Sequence, residues 1–167
     1  AALEASEKAF GKRALPIYDL SKSELVVSFN ADFLGDFNAQ NLQSGYAAAR
    51  KPGTNMLRHI QVESNLSLTG ANADTRIKQK PSAVYKTLLE VYKGLNGGTA
   101  DAVASGIVKE LLAKGSKAVV FADGGTAAYQ LAYAINQKLG STAFTGKANL
   151  LKEFDEVRFN EFLSWLN

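Results

Sequence analysis

Acidic side chains near the ends of predicted strands are the residues best suited to binding chemistry. Asp32 and Asp36 follow the apolar run LVVSF at residues 25–29, and Glu63 and Asp74 follow a second predicted strand, RHIQVE, at residues 58–63. Carboxylates in such loops can accept hydrogen bonds from the hydroxyl groups of a ribose or the N–H groups of a guanine. They can equally cap backbone amides, which is the commoner role of loop acids. Spacing alone leaves both interpretations open.

Catalytic and metal chemistry are limited by what the chain lacks. His59 is the only histidine, and there is no cysteine, so the sequence offers no disulfide, no Cys nucleophile and no Cys-ligated zinc or iron–sulfur cluster. No serine lies in a Gly-x-Ser-x-Gly motif. We therefore predict no catalytic residue and no metal ligand in these residues, and a hydrogen-bonded structural role for His59 on its strand.

A second candidate is the turn Asp123-Gly124-Gly125-Thr126, between a predicted strand and a predicted helix. Helix starts offer unpaired N–H groups to anions. The turn lacks the three-glycine dinucleotide motif and the Gly-Lys-Ser/Thr of a P-loop, and Asp123 would repel phosphate. A stand-alone nucleotide-binding module using this turn stays an alternative function.

The elements that position these residues alternate between strand and helix along the chain. Periodicity and turn signals predict helices at 3–14, 41–50, 81–95, 101–113, 127–139 and 149–166, and strands at 25–28, 58–63, 76–79 and 118–121. Such alternation predicts an α/β fold, Rossmann-like and layered α/β/α, with a mostly parallel sheet and helices on both faces. The break Asn96-Gly97-Gly98 divides the chain into a first lobe, 1–98, and a second lobe, 99–167, which can pack as one domain.

Charge and hydropathy limit the kinds of partner that we expect. The net charge of +3 comes from scattered Lys and Arg residues without interleaved aromatics, so we expect no nucleic-acid binding. No apolar run approaches the roughly 18 residues of a membrane-spanning helix, so we expect no direct membrane insertion. The first residues, Ala1-Ala2, predict a fragment of a longer chain.

Several longer runs resemble the molybdopterin oxidoreductase family over residues 16–145. They are YDLSKSELVVSF at 18–29, HIQVESN at 59–65, AD at 73–74, IKQKPS at 77–82 and KAVVFADGGTAAYQLAYAINQKLG at 117–140. Three others, FGKRALP at 10–16, ADFLG at 31–35 and SLTGANAD at 67–74, are similar to the molybdopterin-like half of the iron–sulfur subunit of alternative complex III, a bacterial quinol:cytochrome c oxidoreductase.

The resemblance implies a fold like the central domains of formate dehydrogenase and DMSO reductase. It also implies a non-catalytic scaffold domain of a membrane-associated respiratory electron-transfer subunit, with iron–sulfur clusters elsewhere in the parent protein. The expected partners are the other domains of that subunit and neighbouring subunits of the respiratory complex. The expected location is the periplasmic face of the bacterial cytoplasmic membrane.

Two departures from the cofactor-binding members imply that this segment holds no cofactor. Their Gly-x-Asn-Pro after the first strand is Phe29-Asn30-Ala31-Asp32 here, and their Pro-Arg after the second strand is Ser64-Asn65. Glycine lets the backbone approach a pyrophosphate, and arginine pairs with it. The alternative is half of a binding site for molybdopterin guanine dinucleotide, whose contacts would be Asn30, Asp32, Glu63, Ser64, Asn65 and Asp74.

Overall fold

The computed structural model describes residues 1–35, 42–53, 55–149 and 156–166. A 3₁₀ turn, Gly115–Lys117, precedes the fifth strand. In chain order the helices and strands are α1 (Ala2–Phe10), β1 (Leu15–Tyr18), β2 (Leu25–Phe29), α2 (Leu42–Ala49), β3 (Arg58–Glu63), α3 (Leu68–Ala71), β4 (Thr75–Lys78), α4 (Pro81–Leu95), α5 (Ala102–Lys114), β5 (Ala118–Ala122), α6 (Thr126–Leu139), β6 (Phe144–Asn149) and α7 (Glu156–Leu166).

Four parallel strands form the central sheet in the order β4-β3-β2-β5. β2 pairs with β3 on one side and with β5 on the other, so Leu25 lies between Arg58 and Ala118. The predicted α/β fold, Rossmann-like with a parallel sheet between helices, is confirmed. β5 follows the Asn96-Gly97-Gly98 break and β2 precedes it, so both predicted lobes contribute strands to one sheet. The strand order reverses between β2 and β5, and in open α/β sheets ligands bind at the carboxyl ends of the strands at such a point.

One face of this sheet is apolar, and we call it the apolar face. Leu25, Val27 and Phe29 from β2 and Ile60 and Val62 from β3 point to this side and pack against α4, α5 and α6. Every residue of β2 and β5 is buried, as expected for strands covered on both faces. Local residues determine where two of the covering helices begin. Pro81 is the first residue of α4, and the Asp101 carboxylate accepts the Ala104 N–H at 2.8 Å at the start of α5.

The opposite face, here called the mixed face, carries polar and aromatic side chains. Ser28, His59, Gln61 and Glu63 lie on it and are all buried. Beside them is an aromatic cluster in which the Phe33 and Phe121 rings are 5.2 Å apart between centroids. Residues of α1, β1 and α2 complete this second core, among them Ala5, Tyr18, Leu42 and Tyr46.

A second, two-stranded sheet was not predicted. β1 pairs antiparallel with β6, with Leu15 opposite Asn149. The prediction of one helix over 149–166 is therefore wrong at its start, because Asn149 ends a strand, while residues 150–155 lie outside the described part. The N-terminal helix ends at Phe10 rather than near residue 14, because Gly11 adopts a left-handed φ of 68°. Within the described ranges, no helix is both long enough and apolar enough to cross a membrane.

Candidate functional site at the carboxyl edge of the sheet

The loops that follow β2 and β3 are hydrogen-bonded to each other. Asn30 has a φ of 55°, a left-handed conformation that asparagine tolerates better than most residues. Its backbone N–H donates to the Val62 carbonyl at 2.9 Å, and its side-chain oxygen accepts the Ser64 N–H at 3.1 Å. Asn30 therefore links the end of β2 to the end of β3 through hydrogen bonds.

Asp32 makes the second connection between these loops. Its Oδ1 accepts the Thr69 N–H at 2.9 Å and the Thr69 hydroxyl at 2.6 Å. The Leu34 N–H in turn donates to Oγ1 of the fully buried Thr69 at 2.9 Å. The carboxylate also packs on Gly35, where a Cβ would overlap Oδ2 of Asp32.

Glu63, the last residue of β3, is buried and surrounded by donors. Its carboxylate accepts the Ser67 hydroxyl at 2.6 Å, Nε2 of Gln61 at 3.2 Å and Nε of Arg76 at 2.5 Å. Burial raises the pKa of Glu63, but the hydrogen bonds from Ser67 and Arg76 outweigh it and leave the pKa below its ordinary value. α3 packs directly against this group, because a Cβ at Gly70 would overlap the Glu63 carboxylate.

The start of α6, at the reversal of strand order, holds two carboxylates from the chain itself. Oδ1 of Asp123 accepts the Gly124 N–H at 2.8 Å and the Tyr129 hydroxyl at 2.7 Å, and the Asp123 N–H donates to the Phe29 carbonyl at 2.9 Å. The Thr126 hydroxyl donates to Oε2 of Glu4 in α1 at 2.8 Å, and this bond lowers the pKa of Glu4. Negative charge thus already lies where the helix would attract an anion.

The six predicted contact residues do not all converge. Asn30, Asp32, Glu63 and Ser64 share the carboxyl edge, and Asn65 beside them is exposed. Asp74 precedes β4 and accepts the His59 N–H at 2.7 Å, near the start of β3. With about 3.3 Å per strand residue, it lies about 13 Å along the strand from Glu63. Asp36 lies outside the described residues.

Asp74 instead forms an ion pair with Arg50. Oδ2 of Asp74 lies 2.5 Å from Nη1 of Arg50. Burial raises the pKa of Asp74, but the hydrogen bonds from Arg50 and the His59 backbone outweigh it and lower the pKa. The alternative role of capping a backbone amide, left open by the sequence, is the one that Asp32 and Asp74 perform in this structure.

A buried row of polar side chains runs along β3 beneath α2. Nδ1 of His59 lies 3.1 Å from the Tyr46 hydroxyl, and Nε2 of His59 lies 3.3 Å from Oε1 of Gln61. Nε2 of Gln61 then donates to Glu63. With Nε2 of His59 protonated, Nδ1 accepts the single proton of the Tyr46 hydroxyl, which also lies 3.2 Å from the Asn72 carbonyl. Burial lowers the pKa of His59 to about 4, so the ring is neutral, and His59 is hydrogen-bonded on its strand as predicted.

Sequence reasoning missed two residues of this edge and its supporting row. The alternation of His59, Gln61 and Glu63 placed those three on one face, but nothing singled out Tyr46 or Thr69. Both contacts join segments distant in sequence: Asp32 and Thr69 are 37 residues apart, and Tyr46 and His59 are 13 apart. The run SLTGA at 67–71 is a sequence feature that could have indicated Thr69, because its small residues let α3 lie against Glu63.

The arrangement offers little to an added ligand. The Ser64 hydroxyl is the one buried side-chain polar atom without a hydrogen-bond partner among the described residues. A diphosphate is held by several donors at once, and this hydroxyl is a single one. The described ranges also contain no group of three or more His, Cys, Asp and Glu side chains placed to hold a metal ion. No protein-family model matches the chain, and no curated protein matches it.

Proposed function

We propose that this chain is a non-catalytic, molybdopterin-oxidoreductase-like scaffold domain of a respiratory electron-transfer subunit. In this proposal electrons pass through iron–sulfur clusters elsewhere in the parent protein, on the periplasmic face of the membrane. The domain holds neighbouring domains and subunits in place. The fold supports the proposed likeness to molybdopterin oxidoreductases, because open parallel sheets bind nucleotide cofactors where the strand order reverses.

The observation that carries the proposal is that the loops of the carboxyl edge bind each other. Asn30 is bonded to the Ser64 amide, Asp32 to Thr69, and Glu63 to Ser67 and Arg76. A cofactor in this position would have to break these bonds and leave buried groups unpaired, which costs about 1–3 kcal/mol for each neutral group. The intramolecular bonds thus occupy the positions that a ligand would use.

Charge at this edge supports the same proposal. Asp32, Glu63 and Asp123 are carboxylates, and Arg76, the cation seen to contact this group, is already bound to Glu63. A diphosphate brought here would meet like charges in a partly buried site, where electrostatic repulsion is screened less than in water. This weighs against the pterin dinucleotide alternative and against a phosphate at the Asp123–Thr126 turn.

The direct test is a cofactor assay on the complete protein that contains this chain, purified with its native complex. Molybdenum is measured by mass spectrometry, and pterin by the fluorescence of its oxidised derivatives. An active molybdopterin enzyme is purified in parallel as the control. We expect iron without stoichiometric molybdenum or pterin. One pterin dinucleotide per chain, with contacts at Asn30 or Ser64, would overturn the scaffold proposal.

The nucleotide-binding alternative is tested by calorimetric titration of the chain with GDP and ATP. We expect no saturable heat for the wild-type chain. Asp123→Asn removes one of the two carboxylates at the start of α6 and serves as the matched variant. Tight binding by the wild-type chain that Asp123→Asn leaves unchanged or strengthens would favour the nucleotide-binding module instead.

A further inference from the structure

The amino edge of the central sheet, at the opposite end of the strands from the candidate site, has an open cleft. Its volume is about 410 Å³, and Lys22, Glu24, Lys51, Met56 and Lys117 are among the residues that line it. Glu24 directly precedes β2, and Lys117 directly precedes β5. Small-molecule sites usually measure about 300–1,000 Å³, so this amino-edge cleft has room for a compact ligand.

Backbone hydrogen bonds join the segments that form the amino-edge cleft. The Glu24 N–H donates to the Lys117 carbonyl at 2.9 Å, and the Arg58 N–H donates to the Glu24 carbonyl at 3.0 Å. The Leu57 N–H donates to the Ala49 carbonyl at 2.9 Å. These bonds tie the starts of β2, β3 and β5 to the end of α2. The cleft therefore has a backbone framework that is already in place, which reduces the ordering cost of binding a ligand.

Lysine side chains outnumber carboxylates at the amino-edge cleft. Lys117 and Lys114 both donate to the Glu24 carboxylate, and these bonds lower the pKa of Glu24, so it stays ionised. Within the described ranges, Lys22 and Lys51 form no ion pair. Four ammonium groups against one carboxylate give this group a formal charge of +3. Lys22 and Lys51 are thus two charges that the chain itself does not neutralise.

The positive charge is concentrated at this edge of the sheet. One further carboxylate, Asp19, lies beside the cleft and accepts the Ser21 N–H at 2.9 Å. With Asp19 included, the formal charge of the group is +2, whereas the net charge of the whole chain is +3. The carboxyl edge, by contrast, carries the carboxylates of Asp32 and Glu63. The amino-edge cleft is therefore the place where this chain attracts an anion.

We propose that the amino-edge cleft binds a compact organic polyanion, whose negative charges lie on phosphate or carboxylate oxygens. Lys22 and Lys51 supply the positive charge, since an ammonium group binds either kind of oxyanion as a point charge. Ala48, Ala49 and Met56 also line the cleft, so its wall offers contacts to the carbon atoms of such a ligand. A concave site of this size fits a small molecule better than it fits a flat acidic protein surface. This inference does not depend on the proposed scaffold function.

Calorimetric titration of the purified chain at low salt, with inorganic pyrophosphate and with citrate as probes, tests the proposal. We expect saturable binding of at least one probe, and the tighter of the two distinguishes a phosphate ligand from a carboxylate ligand. The double variant Lys22→Gln, Lys51→Gln should weaken binding about tenfold or more, because it removes two charged donors. The matched control, Lys78→Gln with Lys80→Gln, removes the same charge from two exposed lysines at the other end of the sheet. It should change the affinity less than about twofold, since distant charges are screened.

Amide chemical shifts in ¹H–¹⁵N spectra locate the bound probe, and we expect the largest changes at residues 21–24 and at Lys51. Three results would overturn the proposal. One is a wild-type chain that binds neither probe, including a chain that binds only a single-stranded DNA through the same lysines. The second is an equal loss of affinity in the two double variants, which would show attraction by net charge alone. The third is a set of shift changes that lies away from the cleft. Circular dichroism of each variant checks that the fold is retained.

Discussion

The two faces of the central sheet are equally buried but are held together by different forces. On the apolar face, Val27 and Ile60 pack against α4 and α5 without polar partners. On the mixed face, His59, Gln61 and Glu63 are buried in a row in which each depends on its neighbour. Dispersion and hydrophobic packing tolerate changes of shape that preserve volume, whereas a hydrogen-bonded row tolerates no change of chemistry.

The largest expected effect comes from replacing the middle of the row with an apolar side chain of similar size. Gln61→Met leaves Nε2 of His59 without its acceptor, and it takes one of several donors from the Glu63 carboxylate and one of two from the Ala31 carbonyl. The unpaired His59 N–H costs about 1–3 kcal/mol and each of the two other lost hydrogen bonds about 0.5–1.5 kcal/mol, so we expect a loss of about 4 kcal/mol in the free energy of unfolding.

Leu88→Met is the matched control on the other face, because Leu88 is 1% exposed in the apolar core. A volume-conserving swap there should cost less than about 1.5 kcal/mol. Urea unfolding followed by circular dichroism measures both variants. Equal losses for the two would mean that hydrogen bonding and apolar packing contribute equally to the two faces.

The second prediction uses pH to break the row. Burial lowers the pKa of His59 from 6.5 to about 4. The unfolded chain then binds more protons than the folded chain between these pH values, so stability falls as the pH falls from 6.5 towards 4. The shift corresponds to about 3 kcal/mol at 1.36 kcal/mol per pH unit.

The control for this pH effect is a variant without the imidazole. His59→Gln keeps hydrogen-bonding groups but cannot titrate, so its stability should vary less between pH 6.5 and 4.5. Asp74 and Glu63 also have lowered pKa values, but their contribution is lost mainly below the unfolded values near 4. A slope in the variant equal to that of the wild type would show that other groups carry the pH dependence.

The difference between the faces also determines how much of the fold the sequence predicts. The apolar runs LVVSF and AVVFA predicted the strands β2 and β5, because strands covered on both faces are largely apolar. Pro81 predicted the start of α4. The sequence analysis did not predict β1 and β6 as strands, because they pair with each other in a separate sheet and β1 contains Pro16. A pairing between segments more than a hundred residues apart leaves no local signal.

The sequence predicted which residues lie at the candidate site better than it predicted how those residues are arranged. Strand ends located Asn30, Asp32, Glu63 and Ser64 correctly at the carboxyl edge, because the ends of parallel strands meet there. Asp74 lies near the start of β3 because the short α3 returns the chain before β4 begins. Hydrogen-bond partners such as Thr69 depend on loop conformations that propensity does not specify.

A smaller effect is expected where the two loops of the carboxyl edge are joined. Asp32→Ala leaves the Thr69 N–H without its acceptor and should cost about 2 kcal/mol. Asp101→Ala is the control, because it removes an ordinary helix cap at the start of α5 and should cost about 1 kcal/mol. Hydrogen exchange of the Leu34 and Thr69 amides measures where the loss occurs. Faster exchange in α5 than in these loops for Asp32→Ala would contradict a local role.

The smallest effect is expected for a polar contact on the surface. Nε and Nη2 of Arg58 donate to the Glu110 carboxylate at 2.6 and 3.0 Å, a bidentate geometry like that of strong buried pairs. Their side chains are 42% and 36% exposed, so water screens the attraction and competes for the same donors. Glu110→Gln should therefore cost less than about 1 kcal/mol, and less still in 0.5 M salt, where screening extends to about 4 Å. If Glu110→Gln destabilised the chain as much as Gln61→Met, hydrogen-bond geometry rather than burial would govern the energetics of the mixed face.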